Sequence, residues 1–162
     1  MNVTGDTLSG VLNVPSIAYT SPRTHTYSLS SEAFVPGSNV DYFNTYGTGG
    51  AYINSGSGAL VAPVNLPDGA VVTMFTAYFY DGSNSDMSVA LQRQGWASSY
   101  SSMASVSSSG TPGYYNASDT TIFSPTIDNT QYGYLIYAYT AAWDANLKIK
   151  GVVIQYTLSE AP

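Results

Sequence analysis

The sequence predicts an all-β domain, and three observations carry that expectation. Strand and turn formers dominate: 15 Tyr and 15 Gly occur in 162 residues, with Val, Thr, Ser and Asn spread between them. Several short segments alternate apolar with polar residues, or are apolar on both faces, at the close spacing of successive strands. No segment offers a helix of ordinary length with capping residues at its ends. About ten strands without helices suggest a jelly-roll-like two-sheet β-sandwich.

Taken in order, residues 1–18 stand apart. Their Leu8, Leu12, Val14 and Ile17 are too few to make a core alone, so they need neighbouring chains or the following domain to cover them. Residues 19–162 form the sandwich. Within it, residues 25–29 alternate as a strand, and Phe34-Val35-Pro36 adds a short apolar beat. Residues 41–46 and 51–54 are aromatic-rich strands around the turn-like Gly47-Thr48-Gly49-Gly50. Residues 59–64 run into Leu66-Pro67-Asp68-Gly69, a strong turn signal.

Residues 70–80 are the best strand. One face reads Val71, Thr73, Phe75, Ala77 and Phe79, the other Val72, Met74, Thr76, Tyr78 and Tyr80, so both need cover. Residues 81–86 turn the chain, and residues 87–93 alternate with Met87, Val89 and Leu91 inward. Residues 95–118 are Ser-rich, with one polar strand around 103–106 between long loops. Residues 120–127 are read as a strand, Asp128-Asn129 as a turn, and residues 133–139 as a strand again loaded on both faces. The last strand is 147–158.

Charge narrows the function classes. Charged residues are 9% of the chain and the net charge is -6, so solubility rests on hydroxyls and amides, or on cover by other subunits. With 4 Lys and Arg, of which Lys148 and Lys150 are the one close pair, nucleic-acid binding is excluded. The absence of Cys removes disulfides and zinc–thiolate sites. No apolar run approaches the roughly 18 residues of a membrane helix, and no signal-peptide pattern opens the chain. An extracellular or virion-surface location is expected, reached with a virus particle or by cell lysis.

The run Gly5-Asp6-Thr7-Leu8-Ser9-Gly10-Val11-Leu12-Asn13-Val14-Pro15 resembles an element of bacteriophage tail-fibre proteins, with Leu8 and Ser9 where Met and Thr are commoner. There such an element lies in or beside a three-stranded shaft. The two-faced strands and the apolar C-terminal strand are similar in architecture to the trimeric jelly-roll heads of the tumour necrosis factor and complement globular-head type. That resemblance rests on residues 75–80, 133–139 and 151–158. Together they imply a homotrimer whose interface holds Met74, Tyr78, Tyr80, Tyr137 and Tyr139. Covering each such aromatic contributes roughly 1.5–3 kcal/mol.

Catalytic readings fail on residue supply. His25 is the one histidine and has no nucleophile elbow to serve. Glu32 and Glu160 are the only glutamates, and the eight Asp fall in or near turns, so no carboxylate pair is evident. Asp81, Asn84 and Asp86 offer oxygen ligands to calcium, though in an order unlike an EF-hand, and a hairpin loop is the plainer reading of them. No other cofactor is expected. Trp143, with Asp144 and Asn146 beside it, and Trp96, Tyr100, Tyr114 and Tyr115 are read as loop aromatics able to stack on sugars. The alternative is that these rings anchor their loops to the sandwich. Asn2-Val3-Thr4 and Asn116-Ala117-Ser118 match the glycosylation acceptor pattern, as expected by chance in so hydroxyl-rich a chain.

Two readings follow. One is a non-catalytic structural or adhesive head of a trimeric extracellular or viral fibre, whose loops touch a glycan or cell surface. The other is a monomeric carbohydrate-binding β-sandwich.

Overall fold

A computed structural model describes residues 18–45, 49–97, 99–109 and 113–160. The expected 1–18 segment, with its fibre-like element, lies outside them except for Ala18. The described residues form eleven strands: β1 (Ala18–Ser30), β2 (Val35–Pro36), β3 (Tyr42–Thr45), β4 (Gly50–Ile53), β5 (Gly56–Val64) and β6 (Val71–Asp81), then β7 (Ser88–Gly95), β8 (Tyr100–Ser107), β9 (Gly113–Asp119), β10 (Tyr132–Trp143) and β11 (Leu147–Glu160). A 3-10 turn at Ser31–Ala33 follows β1.

The strands make two antiparallel sheets. The first runs β3-β4-β11-β6-β9, with β1 also paired to β11, and the second runs β2-β5-β10-β7-β8. With the short β2, β3 and β4 set aside, the orders are β1-β11-β6-β9 and β5-β10-β7-β8. The chain changes sheets at most of its connections, as in a jelly roll. The core lies between the sheets. Phe75 and Phe79 of β6 with Ile149 and Ile154 of β11 form one wall, and Leu60, Leu91 and Ile136 form the other, all 0–1% exposed.

β6 departs from strict alternation for a physical reason. Tyr156 pairs with Val72 and Gln155 with Met74, so Thr73 is an extra, unpaired residue. This β-bulge shifts the register by one and lets Val72 and Phe75 both face inward. A second bulge falls at Lys150, between the pairs Ile149–Phe79 and Gly151–Tyr78. Gly151 has φ 155°, and a Cβ there would lie 2.5 Å from the Leu29 carbonyl oxygen.

Two sequence expectations are corrected here. Residues 120–127 are not a strand: only Thr126 bridges, to Val71. The Asp119 carboxylate accepts the Thr121 N–H, Ser124 has φ 48°, and Pro125 has no N–H to give. The strand lies just before, as β9, where Tyr115, Ala117 and Asp119 are half-buried and Tyr114, Asn116 and Ser118 point out. That segment lacks branched residues, which is why it reads as a loop. β1 likewise begins earlier than expected, because an edge strand accommodates Pro22 with a register shift.

Candidate functional site

The outer face of the second sheet carries a cleft. Cross-strand pairing puts Leu135, Tyr137 and Tyr139 of β10 on one face with Ala59, Val61 and Pro63 of β5. The same rows continue across β7 through Gln92, Ala90 and Ser88. Tyr137 and Tyr139 stand two residues apart with rings 6.2 Å apart and only 13° from parallel. Tyr100, which opens β8 at the far edge, lines the same cleft, as do Ser38 and Ser57, and its volume is about 460 Å³. Tyr100 is 51% exposed and Tyr139 40%, so ring surface is on offer. Among the described residues, no carboxylate or cationic side chain lines this cleft.

The outer face of the first sheet is different in kind. Phe43 of β3 stacks on Tyr52 of β4 at 5.3 Å, and Tyr80 of β6 meets Tyr114 of β9 at 4.9 Å. Lys148 of β11 fills the gap in this row, its Nζ 5.2 Å from the Tyr52 ring centre and 5.5 Å from that of Tyr80. Lys150 lies over Tyr114 at 5.5 Å and donates to the Gly49 carbonyl.

The residues singled out from the sequence are scattered by the fold. Trp143 is not a loop aromatic. It ends β10, is 3% exposed within the core, and its Nε1 donates to the Gly58 carbonyl at 2.8 Å, so it has no face for a ligand. Asp144 shapes its turn: one carboxylate oxygen accepts the Asn146 N–H at 2.6 Å and the other the Ser83 hydroxyl at 2.6 Å. Asn146 is exposed beside it. Trp96 is 73% exposed after β7, with Nε1 donating to the Thr130 carbonyl at 3.1 Å. Tyr114 and Tyr115 lie on β9 rather than in a loop, Tyr114 outward and Tyr115 packed against Phe79.

The proposed calcium ligands differ in burial. Asp81 is fully buried and accepts the Ser83 N–H at 3.0 Å, whereas Asn84 and Asp86 are exposed. Among the described residues, no cluster of three acidic, His or Cys side chains could hold a metal. The five residues expected at one interface divide between opposite faces: Met74, Tyr78 and Tyr80 on the first sheet, Tyr137 and Tyr139 on the second.

Chemistry beyond binding finds little support in these side chains. His25 stacks on Tyr156 at 5.5 Å, and its Nε2 is buried without a hydrogen-bond partner. Glu160 pairs with the start of β1 and Glu32 follows its end, so the two carboxylates are a strand length apart. Hydrogen bonds from the Ser30 side chain and the Glu32 backbone hold the Glu32 carboxyl below the usual range.

No family model and no curated protein matches the chain. Among solved structures it is similar to the C-terminal CBM6 of LamC, a marine laminarinase from Zobellia galactanivorans. The TM-score is 0.52 at 14% identity, over 80% of this chain and 98% of that one. A second, described as "CBM4 structure and function", gives a TM-score of 0.46 at 13% identity, over 81% of this chain and 94% of that one. The fold is thus a β-sandwich of the kind seen in that CBM6 module. This corrects the resemblance to trimeric tumour necrosis factor and complement heads. Two-faced aromatic strands carried that resemblance, and they do not distinguish a subunit interface from an open binding face.

Proposed function

We propose that the protein is a non-catalytic carbohydrate-binding β-sandwich, working outside the cell, that holds a neutral polysaccharide across the outer face of its second sheet. The observation that carries this reading is the cleft's composition: three tyrosines, serine hydroxyls and, among the described residues, no charged group along a cleft of about 460 Å³. Tyr rings offer apolar faces to the CH surface of a sugar while their hydroxyls stay hydrated. The hydroxyls of Ser38 and Ser57, which line the cleft, offer donors and acceptors to sugar hydroxyls. The likeness to a module from a laminarinase supports a β-glucan as the first polymer to try.

Affinity electrophoresis through gels containing laminarin, other glucans, xylan or mannan tests it. Retardation of the wild type that disappears in the Tyr137→Ala/Tyr139→Ala double variant is the expected result. Unretarded migration in every neutral polymer, or retention undiminished in the double variant, would overturn it.

A further inference from the structure

We propose that the outer face of the first sheet is a second binding site, for an acidic polysaccharide, independent of the cleft on the opposite face. The chain carries a net charge of -6 and 4 basic residues, yet two of the four stand on this one face. Lys148 is set between Tyr52 and Tyr80, and Lys150 over Tyr114. An ammonium held over aromatic faces keeps its positive charge while losing part of its water, and it retains donors for an anion.

Beside the lysines is a place for a sugar ring. A hollow of about 310 Å³ is lined by Tyr78, Tyr114, Asn116 and Lys150. Tyr78 is 41% exposed and Tyr114, whose ring also meets Tyr80 and Lys150, is 66% exposed, so both present ring surface at the hollow. Asn116 supplies an amide for sugar hydroxyls, Lys150 lines the hollow to meet the sugar's carboxylate or sulfate, and Lys148 stands two residues along the same strand to meet the next anionic unit. Rings for CH faces, an amide for hydroxyls and cations for the anion are the three groups an acidic sugar requires. A neutral glycan would leave the cations unused, which is why this face and the uncharged cleft fit different polymers.

Charge comes partly from nearby: Lys150 also favours the ionised form of Glu32, though less than that residue's own hydrogen bonds do. Glu32 therefore lies within the field of Lys150 that a bound anion would also meet. Because the two sites occupy opposite faces, one molecule holding both polymers would cross-link them.

Binding to polygalacturonate, dextran sulfate and uncharged dextran, measured by calorimetry at low salt, tests the proposal. Either polyanion binding while dextran does not supports it, and the comparison tells whether carboxylate or sulfate is preferred. Lys148→Met, which keeps the stem but not the charge, should weaken binding about tenfold. Lys148→Arg should restore most of it, and Glu32→Gln should strengthen it modestly. At about 1 M salt, where the Debye length is roughly 3 Å, binding should largely vanish. The Tyr137→Ala/Tyr139→Ala variant should bind polyanions like wild type, so the two sites can fail separately. No binding to either polyanion by a folded protein overturns the proposal. So does equal binding to dextran, indifference to Lys148→Met, or binding to single-stranded DNA as tight as to the polysaccharides.

Discussion

The two outer faces of this sandwich are built from the same aromatic residue in different company. On the second sheet, Tyr137, Tyr139 and Tyr100 stand among aliphatic side chains and serine hydroxyls. On the first, Tyr52, Tyr80 and Tyr114 surround two lysines. The comparison teaches that a count of tyrosines does not define a surface; the polar groups set between them do. A tyrosine ring is a flat apolar plate, and its neighbours decide whether it meets a neutral sugar, an anion or a packed core. The same rule extends to the rest of the molecule. Arg23 lies over Tyr19 at 5.5 Å and Arg93 over Tyr132 at 4.6 Å, so all 4 basic side chains sit on aromatic faces.

The comparison breaks most severely if the shared core gives way. Trp143→Ala should lower the free energy of unfolding by about 3–5 kcal/mol, through a large cavity between the sheets. Chemical denaturation measures it, and a change below about 1 kcal/mol would contradict the burial of this indole. Next, Gly151→Ala should cost about 1–3 kcal/mol, because its Cβ would strike the Leu29 carbonyl beside the Lys150 bulge. Under the same denaturation it should disturb polyanion binding more than laminarin binding.

Tyr139→Ala sharpens the contrast more gently. It should cost about 0.5–1.5 kcal/mol of glucan affinity, seen by calorimetry, and leave the folding midpoint nearly unchanged. The smallest effect is in acid. The hydroxyl and N–H of Thr130 hold the half-buried Asp128 carboxyl below the usual aspartate range. Its contribution to stability is therefore full above the unfolded value of about 3.9 and fades as pH falls through the lower folded value. Asp128→Asn should flatten the acid limb of the stability–pH curve below about pH 4 while sparing both faces.

Much of the fold was legible because pattern and period are local properties. The two-faced reading of β6 and β10 was correct about surplus apolar surface, since Phe75 and Ile136 are fully buried while Tyr78 and Tyr139 face out. What escaped was β9, because its Gly113, Asn116, Ser118 and Asp119 look like a turn despite the strand-forming Tyr114 and Tyr115. Its register comes from pairing with β6 over Asp119 to Gly113. The site was legible only in part. Tyr137 and Tyr139 stood out as needing cover, but their assignment to a subunit contact required knowing which face they shared. Trp143 looked like a loop platform because Asp144 and Asn146 follow it, and nothing local reveals that its indole turns inward to Gly58.

By itself the sequence determined the class of fold, the uncharged character of most of the surface, and the poverty of catalytic groups. These follow from composition and from the two-residue period of a strand, which every segment carries alone. Only the tertiary structure decided which aromatics share a face, that both lysines stand among the tyrosines of one sheet, and that a bulge at Thr73 turns Val72 and Phe75 the same way. Those depend on pairing between strands far apart in the chain, where one residue of slip exchanges the inside for the outside.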